Sequence, residues 1–131
     1  VRDGVSLERA VREGERIRVE DLPRLTVTSR DRAYNKEWVE SLEVKNLLLC
    51  VEASAKAALM RTESRGLHYR TDCLMMDNDA WLKEIVVKQV EGRMTLTTRP
   101  ITVTKMKPPK GRMTWEEYIV KTVPALKGLT E

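Results

Sequence analysis

Between Asn35 and Thr62 the chain contains neither glycine nor proline. An uninterrupted stretch of roughly 28 residues predicts a helix of ~42 Å at 1.5 Å rise per residue. Asn35 is a suitable cap for its start. Val39, Leu42, Leu49, Ala53 and Met60 follow a three-four spacing, and Leu47, Leu48, Val51, Ala57 and Ala58 widen that apolar stripe. A stripe this broad implies packing on more than one side. The small residues Ala53, Ser54, Ala55, Ala57 and Ala58 let another backbone approach closely. Gly66 supplies a left-handed conformation suited to ending the helix, at that point or a few residues earlier.

The remaining elements are shorter. A first helix is expected from Ser6, as N-cap, to about Val19, with a break at Gly14. Pro23 should stop any continuation, because proline disfavours helical geometry in the residue before it. Leu25–Thr28 reads as extended or loop. Beyond the long helix, Glu84–Val90 is β-branched and Met94–Thr98 alternates apolar with polar, so a hairpin about Gly92 is expected, ended or edged by Pro100. Lys107-Pro108-Pro109-Lys110-Gly111 reads as a basic extended linker. Thr114 to Lys121 fits a short helix with Thr114 and Glu117 as a capping box.

At 131 residues this is one domain at most. The predicted fold is mainly α: a helical bundle built on a long central helix, then a small β-hairpin and a C-terminal tail carrying a short helix. Residues 1–72 are assigned to the bundle part and 73–131 to the hairpin and tail of the same domain. Hydrophobic residues make up 41% and charged ones 34%, with no Phe, which is a thin aromatic supply for a β-sandwich. The net charge of +4 comes from interspersed Lys and Arg rather than a basic motif, and argues against nucleic acid. No apolar run is long enough to cross a membrane, so no direct insertion is expected. The opening Val-Arg-Asp-Gly carries no signal-peptide pattern and reads as a cut.

The richest chemistry lies in Glu63-Ser64-Arg65-Gly66-Leu67-His68-Tyr69-Arg70-Thr71-Asp72, which holds the only histidine beside two arginines and two carboxylates. A solvated loop has no need of that density, so the segment is expected to dock against something. His68 could do acid–base work, but a general base needs an orienting partner beside a pocket, and a loop-fixing hydrogen bond is the simpler role. Arg65 and Arg70 could hold a carboxylate or phosphate bidentately; ion pairs with Glu63, Asp72 or a neighbouring domain are preferred. Asp77-Asn78-Asp79 lacks the spaced acids of a calcium loop and reads as the cap of a turn. Cys50 and Cys73, with one histidine, cannot furnish a metal set. No glycine-rich phosphate cradle and no nucleophile elbow occurs.

The run from Asn35 through Leu42-Glu43, Asn46-Leu47-Leu48, Glu52-Ala53 and Ala57-Ala58-Leu59 to Arg61-Thr62-Glu63-Ser64-Arg65-Gly66, His68, Arg70 and Asp72, then Asp79-Ala80-Trp81-Leu82, resembles the C-terminal domain of the succinate dehydrogenase and fumarate reductase flavoprotein family. L-aspartate oxidase belongs to the same family. Val1-Arg2-Asp3-Gly4, Leu7 and Ala10 resemble the end of that family's first bundle helix, so the first helix is expected to be missing. At Cys73-Leu74-Met75-Met76 the chain departs from relatives that place a proline near the aspartate. The resemblance implies a spectrin-repeat-like bundle beside FAD-binding and capping domains, in a parent enzyme that moves a hydride between a C4 dicarboxylate and FAD. The family's flavin and substrate residues lie upstream, so no catalytic, cofactor-binding or metal residue is assigned here, and the fragment is expected to bind no FAD. Glu63, Arg65, His68, Arg70 and Asp72 are candidates for interdomain contact. Implied partners are the FAD-binding and capping domains, an iron–sulfur subunit, and a second copy of the chain refilling the empty groove. The implied location is cytoplasmic, peripheral to the inner face of a membrane through partner subunits. A free-standing helical interaction module is the alternative.

Overall fold

The computed structural model describes residues 2–105 and 107–123. The chain divides into two compact units, Val5–Leu59 and Val1–Gly4 with Met60–Glu131.

The Val5–Leu59 unit is helical. α1 spans Gly4–Arg16, starting before the Leu7 that a Ser6 cap would make the first helical residue, and Gly14 does not break it. Ion pairs along its exposed side offset the glycine: Arg12 with Glu8, and Arg16 with Glu13 at 2.8 Å and Asp21 at 2.9 Å. The path continues through one π turn, Ile17–Asp21, and a 3-10 turn, Leu22–Arg24. Pro23 therefore does not stop the coil at once. It sits in the first positions of a new turn, where the missing N–H has no partner to lose. Thr28 donates through its amide and hydroxyl to Glu37.

α2 spans Lys36–Met60. Asn35 caps it, as expected: its Oδ1 accepts from the Trp38 amide at 2.9 Å, while its Nδ2 ties the carbonyls of Ser29 and Asp31. The apolar residues do not all turn inward. Ala55 is buried and Ser41, Val44 and Leu48 are half-covered, whereas Val39, Leu42 and Leu49 of the expected stripe are exposed, as are Leu47 and Val51. A helix apolar on several sides has more surface to cover than the described residues supply.

In the second unit, β2 (Lys83–Val90) pairs antiparallel with β3 (Arg93–Pro100). The two-residue loop Glu91-Gly92 has positive φ at both positions, 49° and 77°, the twist a tight hairpin requires. Pro100 closes the second strand, as predicted. Two further strands were not foreseen. β1 (Met76–Asp77) pairs with β4 (Arg112–Met113), and Met76 and Met113 are the most deeply buried apolar side chains of the described residues. The basic linker is accordingly pinned, with Pro109 O accepting from Asn78 Nδ2 and the Gly111 amide donating to Asp79. α3 (Trp115–Thr122) starts with the predicted capping box, Thr114 with Glu117. The chain is thus a helical domain with a small β part. Among the described residues no helix is long and apolar enough to cross a membrane.

Candidate functional site

The signature segment begins where α2 ends. The helix stops at Met60, a few residues before Gly66, and the loop that follows places side chains on the first carbonyl beyond it. Arg70 Nη1 donates to Arg61 O at 3.0 Å, and His68 Nε2 lies 3.4 Å from the same oxygen. Cations at a helix C-terminus also face its negative dipole end. Gly66 instead turns a tight loop. Arg65 and His68 exchange both backbone hydrogen bonds, at 2.8 and 3.0 Å, around Gly66-Leu67, with φ +57° at Gly66. Positive φ at the first central residue alone is the pattern of a II′ turn.

Glu63 sits at the centre with no exposed surface. Its Oε1 accepts from Arg61 Nη1 at 2.6 Å and Arg65 Nε at 2.8 Å. Its Oε2 accepts from Arg65 Nη2 at 3.0 Å and the Asp77 amide at 2.8 Å. Burial alone would raise this carboxyl, but the bonds from Arg65, the Asp77 amide and Arg61 prevail and hold it below its ordinary value. Arg65 also reaches Asn78 Oδ1 at 2.8 Å, and buried Asn78 passes the link on to Pro109. The network therefore joins the end of α2 to β1 and the start of β4.

A second knot holds the other half of the signature. Arg70, 4% exposed, grips Asp72 side-on through Nε at 2.9 Å and Nη2 at 2.6 Å. That grip, ahead of the opposing effect of burial and helped by the Gly4 amide, keeps Asp72 well below the usual carboxylate range. Asp72 Oδ2 accepts from the Gly4 amide at 2.9 Å, while a Cβ at Gly4 would lie 3.1 Å from it. Ser64 Oγ accepts from the Arg70 amide and donates to Cys73 O at 2.7 Å. Burial, with the guanidiniums of Arg61, Arg2 and Arg70, lowers His68 against the opposing pull of Arg61 O.

All five sequence-assigned residues, Glu63, Arg65, His68, Arg70 and Asp72, therefore lie in one segment, with Glu63–Arg65 and Arg70–Asp72 paired within the chain. His68 has no carboxylate or hydroxyl partner among the described residues that would orient it as a base. Arg61 was missed as a member of the site. It bonds Glu63, Trp81 O and Lys83 O, and its guanidinium lies 5.0 Å from the Trp81 ring. Its signal was present: two residues before Glu63, just past the helix, it falls on the same side of an extended chain. Asp77 caps the turn, as expected, its Oδ1 accepting from the amides of Asp79 and Ala80, while Asp79 Oδ1 accepts from the distant Gly111 amide. No group of His, Cys, Asp and Glu able to hold a metal occurs among the described residues. An open cleft of about 350 Å³ lies against this network, lined in part by Arg65, Tyr69, Leu74 and Trp115.

Comparison with known proteins agrees with the resemblance. Residues 1–114 match the family described as fumarate reductase flavoprotein C-term. The succinate dehydrogenase flavoprotein subunit of Coxiella burnetii is 42% identical over 67 residues, 51% of this chain and 11% of that protein. The fumarate reductase flavoprotein subunit of Mycobacterium tuberculosis is 32% identical over 108 residues, 82% of this chain and 18% of that protein. The chain thus spans less than a fifth of the length of these relatives. The FrdA chain of E. coli quinol fumarate reductase shares the fold, with a TM-score of 0.75 at 23% identity over 83% of this chain and 19% of FrdA. The chain belongs to the fumarate reductase flavoprotein C-terminal family, whose matched members are flavoprotein subunits of succinate dehydrogenase and fumarate reductase.

Proposed function

We propose that this chain is the non-catalytic C-terminal domain of an FAD-dependent oxidoreductase interconverting succinate-type dicarboxylates, and that it stabilises contacts with the rest of its parent. The family match over residues 1–114 carries this reading. The side chains themselves support it. The donors of Arg70 and most of those of Arg65 are committed to Asp72, Glu63 and nearby carbonyls, an arrangement that suits holding a fold rather than a substrate. The same commitment fits poorly with a flavin site, and the glycines that would admit a dinucleotide are not in this sequence. FAD therefore belongs to the parent, and no step is assigned to it here.

On this reading residues 1–72 form the helical part and 73–131 the hairpin and tail of one domain of spectrin-repeat-like design. Its neighbours are the FAD-binding and capping domains and an iron–sulfur subunit, in a cytoplasmic assembly peripheral to a membrane. Glu63, Arg65, His68, Arg70 and Asp72 shape the interdomain contact. In the full-length flavoprotein, Arg65→Ala should lower the yield of flavin-loaded enzyme while the surviving holoenzyme keeps its turnover. A normal yield with abolished turnover would refute the assignment.

The exposed Val39, Leu42 and Leu49 of α2 support self-association of the isolated domain, and they also favour a second reading, a free-standing helical interaction module. Sedimentation of the chain as a monomer at high concentration would remove self-association.

A further inference from the structure

The β2–β3 hairpin is two strands wide, and one of its edges is unguarded. The register decides which backbone groups point outward. Val90 and Arg93 flank the two-residue loop and form a hydrogen-bonded pair, and antiparallel pairs alternate from there. Leu82 O accepts from the Ile101 amide, which keeps the even-numbered residues on the inward side. The amides and carbonyls of Lys83, Ile85, Val87 and Gln89 therefore face away from β3. At Lys83 the chain covers its own edge: the amide donates to Trp81 O at 2.7 Å, and the carbonyl accepts from Arg61 Nη2 at 2.7 Å. Ile85, Val87 and Gln89 have no such outward partner among the described residues.

Open sheet edges are ordinarily blunted by an edge lysine, a proline, a bulge or a covering loop. β3 carries such guards. Pro100 ends it without a donor, and a two-fold pairing about Leu96 would set Arg93 against Arg99 at both ends, with Glu84 already taken by Arg99. β2 carries none from Ile85 to Gln89. Its register is unbroken, no proline occurs, and the three outward positions are Ile, Val and Gln.

We propose that β2 pairs edge to edge with β2 of a second copy of this chain, antiparallel about Val87, closing a four-stranded sheet with two-fold symmetry. Val87 then faces Val87 and Ile85 faces Gln89, each facing pair exchanging both backbone hydrogen bonds. The same register brings Lys83 opposite Glu91 at both ends. Neither charge is met by an ion pair among the described residues: Lys83 Nζ lies 4.6 Å from the centroid of the Trp81 ring, and Glu91 is exposed. That match selects a second copy over an unrelated strand, because the symmetry repeats it. Lys88 lies diagonal to both Lys88 and Glu84 of the second copy, so it does not decide the matter. Head-to-tail pairing of β2 on β3 would run on into a fibre, and the Arg93, Arg99 and Pro100 edge opposes it. The pairing involves no residue of α2 and does not rest on self-association there.

The test is sedimentation equilibrium of the full chain, joined to amide hydrogen exchange over a concentration series. A dimer should form, and the Ile85, Val87 and Gln89 amides should slow by about tenfold or more as it does, from rates near those of open chain. Val87→Lys places two ammoniums at the two-fold and should weaken the dimer by about tenfold or more, while the hairpin, which does not use the Val87 amide, stays folded. Glu91→Lys should weaken it about fivefold, and adding Lys83→Glu should restore it, a reversal that damage to the fold cannot mimic. Leu49→Glu, on α2, should leave it unchanged. A monomer at every concentration, a dimer indifferent to Val87→Lys, exchange at the three amides independent of concentration, or no recovery in the double variant would each overturn the proposal. A dimer lost in Leu49→Glu and kept in Val87→Lys would overturn it too, and would leave self-association through α2 standing.

Discussion

Replacing Glu63 by Gln tests the central energetic argument, because the change preserves shape and removes only charge and acceptor capacity. Each carboxylate oxygen of Glu63 faces two donors: Arg61 Nη1 and Arg65 Nε at Oε1, Arg65 Nη2 and the Asp77 amide at Oε2. Whichever oxygen becomes an amide nitrogen, two N–H donors then point at an N–H donor. Two guanidiniums, 16% and 29% exposed at the side chain, also lose their only anion among the described residues. Removing one partner from a buried ion pair costs ~3–5 kcal/mol, and the retained carbonyl places Gln near the lower end, at ~3–4 kcal/mol.

With a urea m-value of ~2 kcal/mol/M, that loss moves the unfolding midpoint down by ~1.5–2 M. The chain has two compact units, so the probes matter. Trp81 and Trp115 report on the unit that holds Glu63, and Trp38 on the other. Trp81 is the most direct reporter, since its indole donates to Thr62 and its ring faces Arg61. Fluorescence of Trp38→Phe and of a variant keeping only Trp38 separates the two transitions. Glu84→Gln, which breaks the exposed Glu84–Arg99 pair, serves as the control and should barely move the midpoint. A Glu63→Gln midpoint as close to wild type as that of Glu84→Gln would refute the view that this network holds the unit together.

How much of this was legible depended on the distance over which each feature acts. Local rules predicted the Asn35 cap, the Thr114–Glu117 box and the hairpin about Gly92, because each is decided within four residues. The long helix and nearly its end followed from the absence of breakers; what propensity does not see is the loop that places Arg70 and His68 on the Arg61 carbonyl. Met76 and Met113 could not be paired from sequence, since two-residue strands carry no periodicity and lie far apart in the chain. The charged signature was visible as a cluster of types. Its wiring, with Glu63 buried between two arginines and Asn78 as a bridge, depends on neighbours supplied by β1 and β4. The stripe on α2 was read correctly as broad, yet its inward side is Ser41, Val44, Leu48 and Ala55, and pattern alone cannot choose among several apolar faces.

Three further outcomes follow from the loops and caps. Gly66→Ala should cost ~1 kcal/mol, measured by urea unfolding, because the new methyl meets nothing within 4 Å and only the φ of +57° resists it. Thr114→Ala should cost ~1 kcal/mol and speed hydrogen exchange at the Glu117 amide, which loses its acceptor. His68 should impose a pH dependence of its own. Its pKa lies below the ordinary 6.5, so between the folded value and 6.5 the unfolded chain binds a proton that the folded chain refuses. Stability must then fall as pH drops through that window, level off below the folded value, and be unaffected by this group above 6.5. Glu63 acts lower: its depressed pKa gives stability that is present above 4.5 and lost as pH falls through the folded value. His68→Gln keeps an N–H for Arg61 O but cannot be charged. Urea unfolding from about pH 8 to about pH 5 should therefore show a decline in wild type that His68→Gln lacks, with both chains sharing the acid limb below it. Parallel curves for the two chains would mean that His68 titrates alike in the folded and unfolded states, and the crowding of Arg2, Arg61 and Arg70 around it would count for nothing.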